Sequence, residues 1–284
     1  LITALDHVVV LVSDLDAATR SYETLFARTP SWRSMQDGAA TALFTLENMT
    51  LELVAAVGDG DTADKIRAAH HAQGGDGLAS LCFRVDDLPK MHRRLARLAL
   101  EPAPITDGGS TNTRDGATLS WQRTRAATTA AHGVRLFFLQ SAQQRPKSDA
   151  SGAAPNLALI EGLDHVVVST HQPERAAALY GARLGLDMAL DRSQPEWGRL
   201  MFFRCGDLIV EIVQRPGQND LTQDDKVWGL SWRAGDLDAT RARLVAVGVE
   251  VSEIRSGRKP GTRVMSLKSG TCGVPTLLLE RGAT

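Results

Sequence analysis

The six residues LDHVVV occur twice in this chain, as Leu5–Val10 and as Leu163–Val168. The likeness extends through ALDHVVVLVSDLDAATRSYETLF from Ala4 and GLDHVVVSTHQPERAAALYGARL from Gly162. The only 2 tyrosines, Tyr22 and Tyr180, follow His7 and His165 at equal spacing. Stretches that repeat in this way bury their apolar faces by the same pattern and so fold alike. A fainter repeat lies between them: SLCFRVDDLPKMHRRLARLAL from Ser80 matches GLSWRAGDLDATRARLVAVGV from Gly229. It pairs Arg84 with Arg233, Asp87 with Asp236, Leu88 with Leu237, Arg94 with Arg243 and Leu95 with Leu244. The chain therefore reads A-B-A′-B′, four modules in two halves.

Each module opens on a short alternating apolar strand, such as His7–Val12 or Leu81–Val85, and passes an Asp-Leu or similar boundary into a helix. Asp14 is placed to cap the first helix, with Leu15, Ala18, Tyr22 and Leu25/Phe26 at helical spacing as its buried face. Strand-like pairs follow: ATALFTLEN with TLELVAA, TLSWQRTR with VRLFFLQ, RLMFFRC with DLIVEIVQ, and RVMSLKS with PTLLLER. The order is β-α-β-β-β, four times, an α+β chain. The expected organisation is a first domain at 1–142 (modules 1–57 and 77–142), a Gln-, Ser-, Ala- and Pro-rich linker at 143–157, and a second domain at 158–284 (modules 158–215 and 226–284).

A helix covers only one face of such a sheet, so the other face needs a partner module. Strand periodicity sorts the first strand: Val8, Val10 and Val12 face the helix, and His7, Val9 and Leu11 face any cavity between sheets. Tyr22 and Tyr180 read as helix-to-sheet core, and His70-His71 as part of a polar connection. Asp107-Gly-Gly and the Arg258-Lys-Pro-Gly segment read as loops at the rim of a cup.

Charge and composition narrow the partners. A formal net charge of −1 leaves no footprint for nucleic acid or anionic membrane. No apolar run approaches the ~18 residues of a spanning helix. The N-terminus lacks a basic n-region, and Leu1 in place of Met points to a trimmed start. The 3 cysteines, Cys82, Cys205 and Cys272, form neither a disulfide framework nor a CxxC site, which is the pattern of a cytoplasmic protein. A small-molecule substrate or ligand is the expected partner, and a homodimer is compatible with the pattern.

A histidine on the first strand, an Asp-Leu boundary eight residues later, a helix with a Tyr and a fourth strand reading hydrophobic-Glu-hydrophobic together resemble the vicinal oxygen chelate superfamily. Its members include glyoxalase I, methylmalonyl-CoA epimerase, extradiol dioxygenases, fosfomycin resistance enzymes and bleomycin-binding proteins. The resemblance implies four βαβββ modules pairing into two glyoxalase-like half-barrel domains. It also implies that two paired modules hold one divalent metal (Zn, Ni, Fe, Co or Mn) through groups on their first and fourth strands. The matching positions here are His7 and Glu52 in module one, and His165 and Glu211 in module three. In modules two and four they fall on Ser80 and near Phe137, and on Gly229 and near Leu277, which supply no strong donor.

Module pairing then decides the site. Pairing one with two, or one with four, gives each cup one His and one Glu, whereas pairing one with three gathers His7, Glu52, His165 and Glu211. The function implied is a metal-dependent isomerase or lyase acting on a small oxygenated metabolite through an enolate, with Glu52 or Glu211 as base. Arg84, Arg233 and Ser80 are expected to line the cups and bind substrate; for the arginines, pairing with Asp87 and Asp236 is the alternative. Metal-free binding or sequestration of a small molecule is the rival function, and a metal-free His–Glu acid–base enzyme a third. Ring cleavage of the extradiol kind lacks its ligand triad.

Overall fold

The computed structural model describes residues 1–150 and 158–282; residues 151–157 of the expected linker lie outside them. Module one comprises β1 (Ile2–Leu11), α1 (Leu15–Phe26), β2 (Trp32–Gln36), β3 (Ala39–Thr45) and β4 (Thr50–Ala56). After a connecting helix α2 (Asp61–Gln73), module two adds β5 (Gly77–Val85), α3 (Leu88–Arg97), β6 (Thr106–Thr111), β7 (Thr118–Arg125) and β8 (Arg135–Gln140). Module three is β9 (Ile160–Ser169), α4 (Pro173–Ala177) running on as a π-helical segment (Ala178–Arg183), β10 (Asp187–Gln194), β11 (Gly198–Cys205) and β12 (Leu208–Gln214). Module four is β13 (Lys226–Ala234), α5 (Leu237–Ala246), β14 (Arg255–Ser256), β15 (Thr262–Leu267) and β16 (Thr276–Arg281). No helix among the described residues is long and apolar enough to cross a membrane.

The Asp of each Asp-Leu pair starts its helix. Asp14 accepts from the Ala17 amide at 2.9 Å, Asp87 from Lys90 at 2.8 Å and Asp236 from Ala239 at 2.9 Å. Such a carboxylate satisfies an amide the helix leaves free and lies favourably in its dipole. Arg84 and Arg233 pair instead with Asp6 and Asp207, and neither is paired with Asp87 or Asp236 among the described residues. Module three lacks the Asp and begins instead with Pro173 in the first turn.

Modules pair one with two and three with four. The first eight-stranded sheet runs β2-β3-β4-β1-β5-β8-β7-β6 and the second β10-β11-β12-β9-β13-β16-β15-β14. In each, the first strands of the two modules are antiparallel neighbours at the centre. The helices make the other pairings. Arg94 on α3 donates to the carbonyls of Ala182 and Arg183 at 2.9 Å, and Arg183 donates back to Leu98 at 2.7 Å. Arg243 on α5 donates to the carbonyls of Thr24 and Leu25 at the end of α1. Helix C-termini expose unpaired carbonyls of partial negative charge, and the repeat-matched arginines supply donors from the opposite half. One core unites the helix-covered faces of both sheets, and within it Phe26 meets Trp232 edge-on at 4.9 Å.

The two concave faces differ. The first sheet curls until its edges touch: Trp32 Nε1 donates to Ser110 Oγ at 2.8 Å and the Thr113 amide to the Arg33 carbonyl at 2.8 Å. Inside, Trp32, Leu43, Leu119 and Trp121 pack together. Asp107-Gly-Gly belongs to β6 rather than to a rim loop, because Gly108 makes room for Trp121; a Cβ there would stand 2.3 Å from the indole nitrogen. The second sheet keeps its edges apart, with β14 only 2 residues long. His70 and His71 lie in α2, whose Ala63 alone is buried, so it shows no apolar stripe. His70 is held by Asp76 at 2.7 Å.

Candidate active site

A β-bulge in each repeat builds the centre of each cup. The register of β1 against β5 slips between Leu5 and His7, and that of β9 against β13 slips between Leu163 and His165. Leu5 and Val8, three residues apart, therefore both face the helix core, as do Leu163 and Val166. The residues between them, Asp6-His7 and Asp164-His165, turn together to the concave face. Parallel pairing then sets Glu52 opposite Val9 and Glu211 opposite Val167, one step along the same face.

The result is the same triad twice. His7 Nδ1 lies 2.8 Å from Asp6 and its Nε2 lies 3.2 Å from Glu52. His165 Nδ1 lies 2.9 Å from Asp164 and its Nε2 lies 3.1 Å from Glu211. The sequence reading placed both His–Glu pairs and missed both aspartates. The signal was present: an Asp stands inside an apolar strand in both copies of LDHVVV, at a position alternation assigns to the core.

The surroundings then diverge. In the first cup, Asp6 is bound by Arg84 at 2.8 and 3.0 Å and by Arg145 at 3.0 Å. Arg145 comes from the segment expected as linker, and its Nη2 lies 3.2 Å from His7 Nδ1. The strap carrying it is sewn to the sheet: the Ser148 amide donates to Thr45 O at 2.9 Å, and the Thr29 amide donates to Asp149 O at 3.1 Å. Burial opposes ionisation of Asp6, but His7, Arg145 and Arg84 hold its carboxyl well below the usual range. Burial likewise opposes a charge on His7, and Cys82 beside it and the Asp6 carboxylate raise it well above the ordinary histidine range. A cavity of about 10 Å³ remains among Asp6, Arg84, Trp121 and Arg145, room for one water.

In the second cup, Asp164 is bound by Arg281. Burial pushes its carboxyl up, but His165 and Arg281 hold it down at about 2. Arg233 is spent on the Leu163 carbonyl at 2.8 Å and on Asp207 at 3.0 Å, and stands 3.9 Å from Asp164. Arg84 and Arg233 thus brace the aspartates or the strand beside them. Ser80 is buried on the floor of the first cup, opposite Val9. Above His165 and Glu211, Val167, Leu200 and Val213 form an apolar wall with Trp197 and Phe202. A cavity of about 760 Å³ opens beside this mouth around His171, Arg199 and Arg215. Neither His165 nor Glu211 lines it.

The donor sets fall short of a firmly held metal. Neighbouring ligands on a six-coordinate ion with bonds of about 2.1 Å stand about 3 Å apart, which each His–Glu pair matches. Register places Cys82 opposite Phe137 and Ser231 opposite Leu277, just as Val9 and Val167 lie opposite the glutamates. The matching modules thus offer Ser80 with Phe137 and Gly229 with Leu277. Among the described residues no three His, Cys, Asp or Glu side chains gather at one point suited to an ion. His7 and Glu52 sit in one sheet and His165 and Glu211 in the other, so the four-ligand set does not assemble within one chain.

Comparison with known proteins agrees with this architecture. A glyoxalase-like domain model matches residues 5–161, and a glyoxalase/bleomycin resistance protein/dioxygenase superfamily model matches residues 164–265. No curated protein sequence matches significantly. Among solved structures, a mutant of 4-hydroxymandelate synthase from Streptomyces coelicolor superposes with a TM-score of 0.70 at 16% identity, covering 100% of this chain and 94% of that one. The Mn(II)-bound glyoxalase from Novosphingobium aromaticivorans gives a TM-score of 0.64 at 11% identity over 99% and 83%. BphC, a halotolerant catechol dioxygenase, gives 0.61 at 12% over 100% and 88%. At such identities the likeness is one of fold. With two tandem domain models spanning most of its length, the chain belongs to the glyoxalase-like, vicinal oxygen chelate superfamily.

Proposed function

We propose that the second cup is the working site and that it moves a proton at the carbon beside a carbonyl group of a small oxygenated metabolite, as an isomerase or lyase does. The observation carrying this reading is the His165–Glu211 contact of 3.1 Å on the concave face of the second sheet, with the far ring nitrogen fixed by Asp164. Glu211 takes the proton from carbon, and the proton shared by Glu211 and His165 is lent to the oxygen as the enolate forms. Asp164 holds the ring in one orientation throughout, a pre-organisation that costs nothing at the moment of reaction. Returning the proton to a different carbon or face completes an isomerisation; expelling a neighbouring group completes an elimination. The first cup carries the same triad, but there Arg145 closes in on the Asp6–His7 side and leaves a cavity of only about 10 Å³.

Two rivals are separated by one experiment. The short donor sets favour metal-free capture without turnover as the second reading, and a metal-dependent enzyme is the third. Deuterium wash-in at carbons beside carbonyl groups, followed by NMR over a panel of small keto and hydroxy-keto compounds, reads the chemistry directly. Wild-type protein treated with chelator is expected to exchange at least one panel member, and Glu211→Gln to lose roughly 10²–10⁴-fold of that rate. Exchange that vanishes with chelator and returns with a divalent ion favours the metal-dependent reading. Binding without exchange favours capture.

A further inference from the structure

The mouth of the second cup holds a pair of arginine–tryptophan stacks that the proton-transfer chemistry does not use. The Arg215 guanidinium lies over the Trp228 ring, 4.0 Å from its centroid, and Arg258 lies over Trp197 at 5.0 Å. Their positions follow from the strands. Arg215 continues the concave-face alternation of Glu211 and Val213 just past the end of β12. A second bulge in β13, between Val227 and Gly229, turns Trp228 to the concave face, since Val227 and Leu230 both pack into the helix-side core. Trp197 sits at the tip of the β10–β11 hairpin and packs on the apolar wall. Arg258 reaches it from the loop between β14 and β15, at the opposite edge of the sheet. The two edges that meet through backbone and side chain in the first sheet are bridged here by Arg258 over Trp197.

A guanidinium held over an indole face by the ring's quadrupole keeps N–H groups free to take an oxyanion. Among the described residues, neither side chain finds a hydrogen-bond acceptor or an ion-pair partner, in contrast to Arg84, Arg233, Arg199 and Arg281 in and around the cups. The indole faces and Phe202 below them offer flat apolar surface between the guanidiniums and Glu211. Resting on the assignment of the second cup as the working site, we propose that Arg215 and Arg258 select an anionic ligand with a planar, conjugated body. Its carboxylate or phosphate is held by the two guanidiniums at the mouth, and its flat body lies along Trp228, Trp197 and Phe202 toward Glu211.

The probes are cinnamate (planar anion), cinnamamide (planar, neutral), hexanoate (flexible anion) and phenyl phosphate, each measured by titration calorimetry. Wild-type protein is expected to bind cinnamate or phenyl phosphate at least about tenfold more tightly than cinnamamide or hexanoate, the scale of a charge-assisted hydrogen bond. Whichever anion binds better identifies the oxyanion. Arg215→Gln and Arg258→Gln should each erase the preference over cinnamamide, Arg215→Lys should retain part of it, and Trp228→Leu should erase the preference over hexanoate. Melting temperatures near wild type confirm that these mouth variants are folded. Equal affinity for the four probes, binding of none, or a preference that survives both arginine changes overturns the proposal. Glu211→Gln should keep the preference while losing proton exchange. Wild-type exchange without any anion preference sinks this selectivity and leaves the chemistry standing; the reverse result sinks the chemistry alone.

Discussion

Replacing Arg145 by Met tests whether the strap between the halves truly seals the first cup. The Asp6 carboxylate is almost fully buried, with its side chain 4% exposed; it is hydrogen-bonded to His7 and Arg84 and ion-paired with Arg145. Breaking a buried ion pair by deleting one partner costs about 3–5 kcal/mol when nothing else compensates. Here Arg84 still contributes two contacts at 2.8 and 3.0 Å, although its side chain is half exposed. Removing Arg145 also relieves its repulsion of a charged His7, whose Nδ1 lies 3.2 Å from the guanidinium on the same carboxylate. We therefore expect a loss of about 2 kcal/mol, and with this chain length a fall in Tm of roughly 4–6 °C. In a cycle with Asp6→Asn the coupling should be about 1–2 kcal/mol. Hydrogen exchange supplies a local readout: the Ser148 amide, bonded to Thr45 O, should exchange at least about tenfold faster in the variant. An Arg145→Met protein that melts within about 1 °C of wild type, with unchanged Ser148 protection, refutes the seated strap.

Three further outcomes check the packing that positions the cups. Tyr22 donates its hydroxyl to the Thr271 carbonyl at 3.2 Å, whereas the buried Tyr180 hydroxyl has no partner among the described residues. Tyr22→Phe should thus cost about 1 kcal/mol in urea unfolding while Tyr180→Phe is neutral or stabilising, and equal losses contradict the difference. Arg243→Met strips the donors from the Thr24 and Leu25 carbonyls and should cost about 2–4 kcal/mol, read as a loss in thermal unfolding; a change below about 0.5 kcal/mol contradicts that role. Gly108→Ala drives a methyl into the Trp121 ring and should cost about 1–3 kcal/mol with a shift in indole fluorescence, whereas unchanged emission contradicts the close approach.

What the sequence made legible follows from its periodicities. The duplicated LDHVVV, the Asp-Leu caps and the alternation around Val8, Val10 and Val12 each act over a few residues, and the structure realises them directly. The bulges were hidden because alternation assumes one residue per register step, so Asp6, Asp164 and Trp228 were assigned to the wrong face or left unplaced. Helix α2 escaped because a helix with one fully buried residue has no apolar stripe to find. Pairing could not be read because both answers are used: sheets join modules one with two, and helix ends join one with four and two with three. Arg94 and Arg243 matched in the repeat without an evident task, since a role on the opposite half's carbonyls leaves no local pattern. Arg145 lay in low-complexity sequence and gained its role only from where the strap runs.

Two identical triads with opposite surroundings make the claim at the centre of this structure testable by one paired measurement. Glu52→Gln and Glu211→Gln are the same change at matched strand positions, compared in the same deuterium wash-in assay against wild type. Loss of exchange in Glu211→Gln by roughly 10²-fold or more, with Glu52→Gln retaining wild-type rates, is the expected result. Equal loss in both variants, or loss in Glu52→Gln alone, contradicts a single working site in the second cup.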